Sequence, residues 1–267
     1  MTIEPGLTCT PWYDGSLKLW QADEGFRATT DAVLVAAAVD ADCRHVVELG
    51  AGGGAASLAL ARRCPQMQIT AIERDPLMAG LLGRNISEND LSDRLAAIHA
   101  DIHDNAAMAG LAGRHDHVFF NPPYNDEASS LSSTPRRRTA MAGDDLGGWI
   151  RVAAGLLADR GGMTLISRAD RLPDILAACG EHHLGETVLR AVHSRPGQPA
   201  IRILVSARKG LRGRLVMLPP LILRDDSNTL TATMQAISHD CAALGMKAPG
   251  RQYRLPPLPD SPSSSPQ

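Results

Sequence analysis

The sequence predicts an α/β fold: five parallel strands joined by helices, then an antiparallel hairpin at the C-terminal end, with a short structured extension ahead of the sheet. Three observations lead to it. Short apolar runs alternate with helical stretches between His45 and Cys179, the pattern of repeated βαβ units. A glycine cluster, Gly50-Ala51-Gly52-Gly53-Gly54, joins the first apolar run to the first of those helices. Past the fifth run, two alternating segments flank Arg195-Pro196-Gly197-Gln198-Pro199, a turn sequence that folds a chain back on itself.

Taken in order, Ser16 to Gln21 alternates like a strand, and Thr30-Asp31 reads as the cap of an apolar helix from Ala32 to Val39. The five strands are expected at His45–Leu49, Gln68–Glu73, Leu95–Ala100, His117–Asn121 and Met163–Ser167. Helices are expected at Ala55–Arg63, Pro76–Asn89, Leu146–Ala158 and Ala169–Cys179, with Pro76 in a first turn and Gly161-Gly162 as a stop after the third. The hairpin arms are Glu186–His193 and Ala200–Ala207. One domain over residues 1–245, in which 1–40 forms the extension, is followed by a Pro- and Ser-rich tail over 246–267 that lacks the apolar mass to offset its ordering entropy.

The five cysteines are scattered without a CxxC pair, which argues against a disulfide framework or a zinc knuckle and for a reducing cytoplasm. No apolar stretch approaches the roughly 20 residues of a membrane span. Net charge is -2 and gives no general support to a polyanion partner. Its distribution is less neutral: Arg190, Arg195, Arg202, Arg208, Lys209, Arg212, Arg214 and Arg224 face the single acid Glu186 between residues 186 and 224. Neither charge nor composition fixes an oligomeric state.

The glycine cluster follows Val46-Val47-Glu48-Leu49 with the spacing of a nucleoside-binding turn, in which the backbone approaches a ligand where a Cβ would strike it. That spacing is shared with nicotinamide and flavin proteins, so it is weak alone. Two acids sharpen it. Glu73 is placed at the end of the second strand to accept from both ribose hydroxyls, and Asp101 at the end of the third to accept from an adenine amino group, with the Ile102 N–H facing a ring nitrogen. No Lys or Arg stands among the glycines, which suits a nucleoside without phosphate. Glu48, Gly50, Gly52, Gly54, Glu73, Arg74, Asp101 and Ile102 are the residues expected on this side. His99, Asp101 and His103 alternate and could be imagined around a metal, but the nucleoside reading already uses Asp101, and no metal is expected.

Val118-Phe119-Phe120 runs into Asn121-Pro122-Pro123-Tyr124, the most specific signal in the chain. An amine conjugated to a ring or carbonyl is a poor nucleophile, because its lone pair is delocalised. The Asn121 side-chain oxygen and the Pro122 carbonyl can accept its two hydrogens, the prolines stiffen the loop, and Tyr124 offers a stacking face. With Asn121 also bordering the nucleoside, these four are the expected catalytic residues.

This layout resembles the NPPY amino-methyltransferases, in particular the family that methylates adenine N6 beside the anticodon of a valine tRNA. The match includes Gly25-Phe26-Arg27-Ala28-Thr29-Thr30-Asp31-Ala32-Val33-Leu34, Arg168-Ala169-Asp170-Arg171-Leu172, and the hairpin residues Arg195 to Arg202 with Arg208-Lys209-Gly210, and spans about Asp14 to Ile237. Ala28 departs from the family, where an aromatic residue is common. The resemblance implies a Rossmann-like class I methyltransferase sheet, S-adenosylmethionine (SAM) as methyl donor, tRNA as partner, and Arg27, Thr30 and Asp31 on the cofactor side. Arg136-Arg137-Arg138, in a Ser- and Thr-rich loop, can meet RNA phosphates or be a solvated loop. Two alternatives stay open: a glutamine-N5 methyltransferase of the release-factor type, whose relatives usually carry a helical N-terminal domain, and a SAM- or RNA-binding module without catalysis.

Overall fold

A computed structural model describes residues 6–23, 27–123 and 145–248. Tyr124, the Arg136 to Arg138 run, and residues 249–267 of the expected tail lie outside the described residues. The chain opens with an antiparallel hairpin, β1 (Leu7–Trp12) and β2 (Leu17–Ala22), followed by α1 (Thr30–Ala38). Next come β3 (His45–Leu49), α2 (Ala55–Arg63), β4 (Gln68–Glu73), α3 (Pro76–Glu88), β5 (Leu95–His99), α4 (Asn105–Ala109) and β6 (His115–Phe120). From residue 145 onward, α5 (Leu146–Leu156) leads into β7 (Leu157–Arg168), α6 (Leu172–Glu181), β8 (Leu184–His193), β9 (Ala200–Lys209), β10 (Val216–Met217), β11 (Leu221–Ile222) and α7 (Ala232–His239).

One sheet organises the molecule, in the order β10-β8-β9-β7-β6-β3-β4-β5, with β11 also on β8. Strands β3 to β7 are mutually parallel, and β9 is the antiparallel strand between β7 and β8. This is the mixed α/β sheet expected from the sequence. Both faces are covered, so the central strands read as near-continuous apolar runs rather than alternating ones. Val47, Leu49, Val118 and Phe120 pack with Trp149 and Ile150 of α5, while Val46 and Phe119 join the layer built by α1, α2 and α3.

Several elements differ from expectation for local reasons. Thr30 and Asp31 lie inside α1, whose N-cap is Thr29, without a side-chain cap bond. Gly161 and Gly162 do not stop a helix but lie within β7: at either glycine a Cβ would press on neighbours, the Leu157 side chain and the His115 carbonyl at Gly161 and the His117 ring at Gly162. The fourth strand starts at His115 and ends at Phe120, leaving Asn121 just past the ladder. The strand β1 and everything after β9 were not anticipated, because β10 and β11 are only two residues each and α7 is held by tertiary burial of Met234 and Ile237.

Candidate functional site

The chain runs from β3 outward to β4 and β5, then returns to place β6 on the other flank of β3. Such a reversal opens a crevice at the carboxyl ends of the two strands, where open α/β sheets bind ligands. The register aligns what borders it. Leu49 pairs with Phe120 on one side and Ile72 on the other, and Ile72 pairs with Ile98. Gly50, Glu73, His99 and Asn121, each one residue further on, therefore leave the sheet along a single edge.

The turn at that edge takes the left-handed conformation at Gly50, Gly52 and Gly54 (φ 64°, 56° and 89°). A Cβ on Gly54 would stand 2.5 Å from Leu82 Cδ1, and one on Gly50 would strike the Cη2 edge of the Trp149 ring. At these two glycines helix packing by itself leaves no room for a Cβ. A Cβ on Gly52 meets nothing within 4 Å, so this position borders open space. Backbone bonds set the turn: Ala51 N–H donates to Ile72 O (2.9 Å) and Gly54 N–H to Ala51 O (2.9 Å).

Glu73 organises the turn from the neighbouring strand. Its Oε2 accepts from Gly52 N–H at 2.8 Å and its Oε1 from Asp75 N–H at 2.7 Å, leaving a further lone pair on each oxygen. Asp75 in turn caps α3 through Leu77 N–H (2.9 Å) and Met78 N–H (3.1 Å), with Pro76 in the first turn. Arg74 is exposed beside them, and its carbonyl bonds the His99 ring at 3.1 Å. Glu48 differs in environment. It is buried, it accepts a hydrogen bond from Ser57 Oγ, and desolvation, with a further contribution from the Glu73 charge, pushes its pKa up to about 8. At neutral pH Glu48 is therefore largely the uncharged acid.

Asp101 is exposed and stands two residues beyond β5, not at its end; its Oδ1 accepts from His103 N–H at 2.9 Å, and the Ile102 side chain is buried. Ala100 N–H donates to Glu73 O at 3.0 Å, which keeps this loop beside the Glu73 strand end. Asn121 and Pro123 are half-buried and Pro122 is buried directly after β6. Arg27 and Thr30 are exposed, whereas Asp31 is buried in an ion pair with Arg202 Nε at 2.8 Å. Arg202 lies opposite Arg168, at the carboxyl end of β7, so this pair pins the start of α1 to the same edge as Asn121.

Residues that sequence reasoning missed hold the hairpin to this edge. Asn85 of α3 is fully buried; its Oδ1 accepts from Trp20 N–H (2.7 Å) while its Nδ2 donates to Trp20 O (2.9 Å) and Gly53 O (2.8 Å). One turn on, Asn89 repeats the pattern on Lys18 N–H (2.8 Å) and Lys18 O (2.7 Å). Arg84 stacks over the Trp20 ring, 3.6 Å from its centroid. The asparagine pair at i, i+4 was visible in the sequence, but its partner strand was not.

The basic segment is divided by the hairpin. Arg195 and Arg202 lie toward the carboxyl edge, while Arg208, Lys209, Arg212 and Arg214 lie at the opposite edge, since Arg208 pairs with Gly162. Several are spent on the fold: Arg190 bonds Pro219 O and Gly245 O, Arg208 bonds Arg160 O, Lys209 bonds Leu157 O and Arg224 bonds Asn228 O. A cavity of about 140 Å³ lined by His45, Gln68, Arg94 and His115 also lies at that amino edge, away from the glycine turn. Among the described residues no group of His, Cys, Asp and Glu is arranged to hold a metal, and no helix is long and apolar enough to cross a membrane.

The family model described as methyltransferase small domain matches residues 27–169. Among curated proteins, a tRNA1(Val) (adenine(37)-N6)-methyltransferase of Porphyromonas gingivalis is 32% identical over 202 residues, covering 71% of this chain and 78% of the relative. One of the same description from Shewanella amazonensis is 39% identical over 136 residues, 49% of this chain and 57% of that protein. Among solved structures, a predicted O-methyltransferase from Agrobacterium tumefaciens aligns with a TM-score of 0.69 at 32% identity, covering 82% of this chain and 100% of that one. TYW2 of M. jannaschii, solved in complex with AdoMet, aligns at 0.55 and 17% identity over 78% of this chain and 88% of its own, a likeness of fold alone.

Proposed function

The chain belongs to the methyltransferase small-domain family, and from that premise we propose that it is a SAM-dependent N-methyltransferase acting on adenine N6 of a tRNA, a substrate that places its work in the cytoplasm. The observation that carries this reading is the strand register that brings the Gly50 turn, Glu73 and Asn121 to one edge at the switch point. The residues there fit the donor. Gly52 borders open space, Glu73 is a fixed carboxylate with lone pairs to spare for a ribose diol, and no cation competes with a positively charged sulfonium among the glycines. Glu48, Gly50, Gly54, Arg74, Asp101 and Ile102 complete this side, and Arg27, Thr30 and Asp31 border it from the N-terminal segment, with residues 1–40 working as part of the cofactor site.

Bound SAM supplies an electrophilic methyl group on sulfur. The chain's own residues aim the acceptor at it. The Asn121 side-chain oxygen and the Pro122 carbonyl accept the two N–H bonds of the amine, which turns the nitrogen lone pair out of conjugation and toward the methyl carbon. With the donor in place, a new N–C bond would form as its C–S bond broke, and the nitrogen, positively charged once methylated, would give up its proton without a strong base. Pro122 and Pro123 limit the motion of the acceptors, and Tyr124 stacks on the base. A hydroxyl acceptor would present one hydrogen to this pair of oxygens, so the motif favours an amine. The Arg136 to Arg138 run is assigned to RNA phosphates.

Radiolabelled SAM incubated with total tRNA, and separately with a release factor, tests the assignment. Label in N6-methyladenine after nuclease digestion is the expected result. Label on the release factor instead, at glutamine, would replace this reading by the protein-methylating one; transfer to neither would leave only a SAM-binding module.

A further inference from the structure

The glycine turn is not held by its own strand alone. The Gly53–Gly54 peptide is fixed at both of its polar groups, with the Gly53 carbonyl on Asn85 Nδ2 and the Gly54 N–H on Ala51 O. The same Asn85 carboxamide grips both backbone groups of Trp20 in β2. The next residue of that strand, Gln21, is buried, and its Oε1 accepts from Ala28 N–H at 2.7 Å. Ala28 stands between Arg27 and Thr30 in the segment that leads into α1. Hydrogen bonds, with the chain itself linking Trp20 to Gln21, therefore join the glycine turn to the N-terminal segment: Gly53, Asn85, Trp20, Gln21, Ala28. Few of these groups have water to turn to, because Asn85 and Gln21 are both shielded from solvent, so losing one link leaves buried polar groups unpaired.

We propose that Asn85 and Gln21 are positioning residues for the methyl-donor site, coupling the β1–β2 hairpin and the segment before α1 to the conformation of the Gly50 to Gly54 turn. Neither side chain need touch SAM. Asn85 sets the peptide plane beside Gly52, and Gln21 sets the backbone beside Arg27 and Thr30, so the two sides of the donor site are placed by one network. The inference rests on the SAM reading of the turn and is indifferent to the acceptor.

Asn89 supplies the internal control. It grips β2 through Lys18 as Asn85 does through Trp20, but it has no bond to the glycine turn. A purely structural role for the hairpin contacts predicts similar consequences at both asparagines. Coupling predicts a split. SAM titrations by calorimetry on the full chain would compare wild type, Asn85→Asp, Gln21→Met, the double variant and Asn89→Ala. Asn85→Asp keeps the acceptor for Trp20 N–H and removes both donors; Gln21→Met keeps the volume and removes the acceptor for Ala28. Each is expected to weaken SAM binding by on the order of fivefold or more, the equivalent of about one net hydrogen bond. The double variant should lose less than the product of the singles, since the second cut falls on a network already broken. Asn89→Ala should lower the melting temperature while SAM affinity stays within about twofold, less than one net hydrogen bond is worth.

Should Asn85→Asp fail to fold, Gln21→Met on the hairpin side still decides. Unchanged SAM affinity in Gln21→Met, or losses in Asn89→Ala equal to those in Gln21→Met, overturns the inference. A wild-type chain that does not bind SAM refutes the donor assignment and the inference together, which is distinguishable from failure of the coupling alone.

Discussion

At the scale of single residues, position and ionisation divide the labour. Asn121 leaves β6 one residue beyond Phe120, at the same edge as the glycine turn. Asn121→Ala is expected to cut methyl transfer by on the order of a hundredfold or more, as loss of an oriented hydrogen-bonding group does, with SAM affinity nearly intact. Near-normal turnover in that variant would remove Asn121 from the chemistry. Glu73 Oε2 holds Gly52 N–H besides the ribose contact proposed for this carboxylate. Glu73→Ala should therefore weaken SAM binding by about 1 to 3 kcal/mol, through a lost charge-assisted bond and a loosened turn together, as calorimetry would read. Glu48 reports on pH. Its acid is favoured by the fold, with a pKa raised from 4.5 to about 8, so its contribution to stability is full below about 4.5 and is lost as pH rises through about 8. Thermal melts across that window should show the wild type losing stability toward alkaline pH and Glu48→Gln losing less of it; parallel curves would place the pH dependence elsewhere.

At the scale of elements, the glycine turn is a packing device at Gly50 and Gly54 and borders open space at Gly52. Gly54 sits against Leu82 of α3 in a left-handed conformation, so Gly54→Ala combines backbone strain with overpacking and should cost about 2 to 4 kcal/mol in urea unfolding. Gly52 shares the left-handed backbone but faces open space. Gly52→Ala should cost about 1 kcal/mol of stability and weaken SAM binding by more than Gly54→Ala does at equal folded fraction. The reverse ranking would mean that the crevice lies on the other side of the turn. The hairpin shows the same economy: two asparagines one helical turn apart present their carboxamides to alternate residues of β2, because one helical turn of rise approximates two residues of strand.

At the scale of the whole molecule, antiparallel folding of β9 redistributes charge that is contiguous in the chain. The ten-residue strand from Ala200 to Lys209 spans roughly 30 Å, so Arg212 and Arg214 stand far from the edge that carries Asn121. Reversing both, as Arg212→Glu with Arg214→Glu, should leave tRNA binding and its salt dependence unchanged. A flattened salt slope in that variant would show that RNA reaches around the molecule to the amino edge.

Much of this architecture was legible in the chain itself. The strands His45–Leu49 and Gln68–Glu73 and the helix Ala55–Arg63 have the bounds expected from apolar runs and their punctuation, because a doubly covered parallel sheet needs uninterrupted apolar segments. The Asn121 to Tyr124 motif and the glycine cluster were plain as sequence patterns, since each is defined by residue types at adjacent positions. What the chain could not announce were contacts between distant positions. Asp31 with Arg202, Asn85 with Gly53 and Trp20, and the Leu82 and Trp149 side chains that make Gly54 and Gly50 obligatory each join segments separated by tens of residues or more. Local periodicity dictates which residues face inward. Only the packed sheet decides which of them meet, because that choice is made by strand order and helix docking.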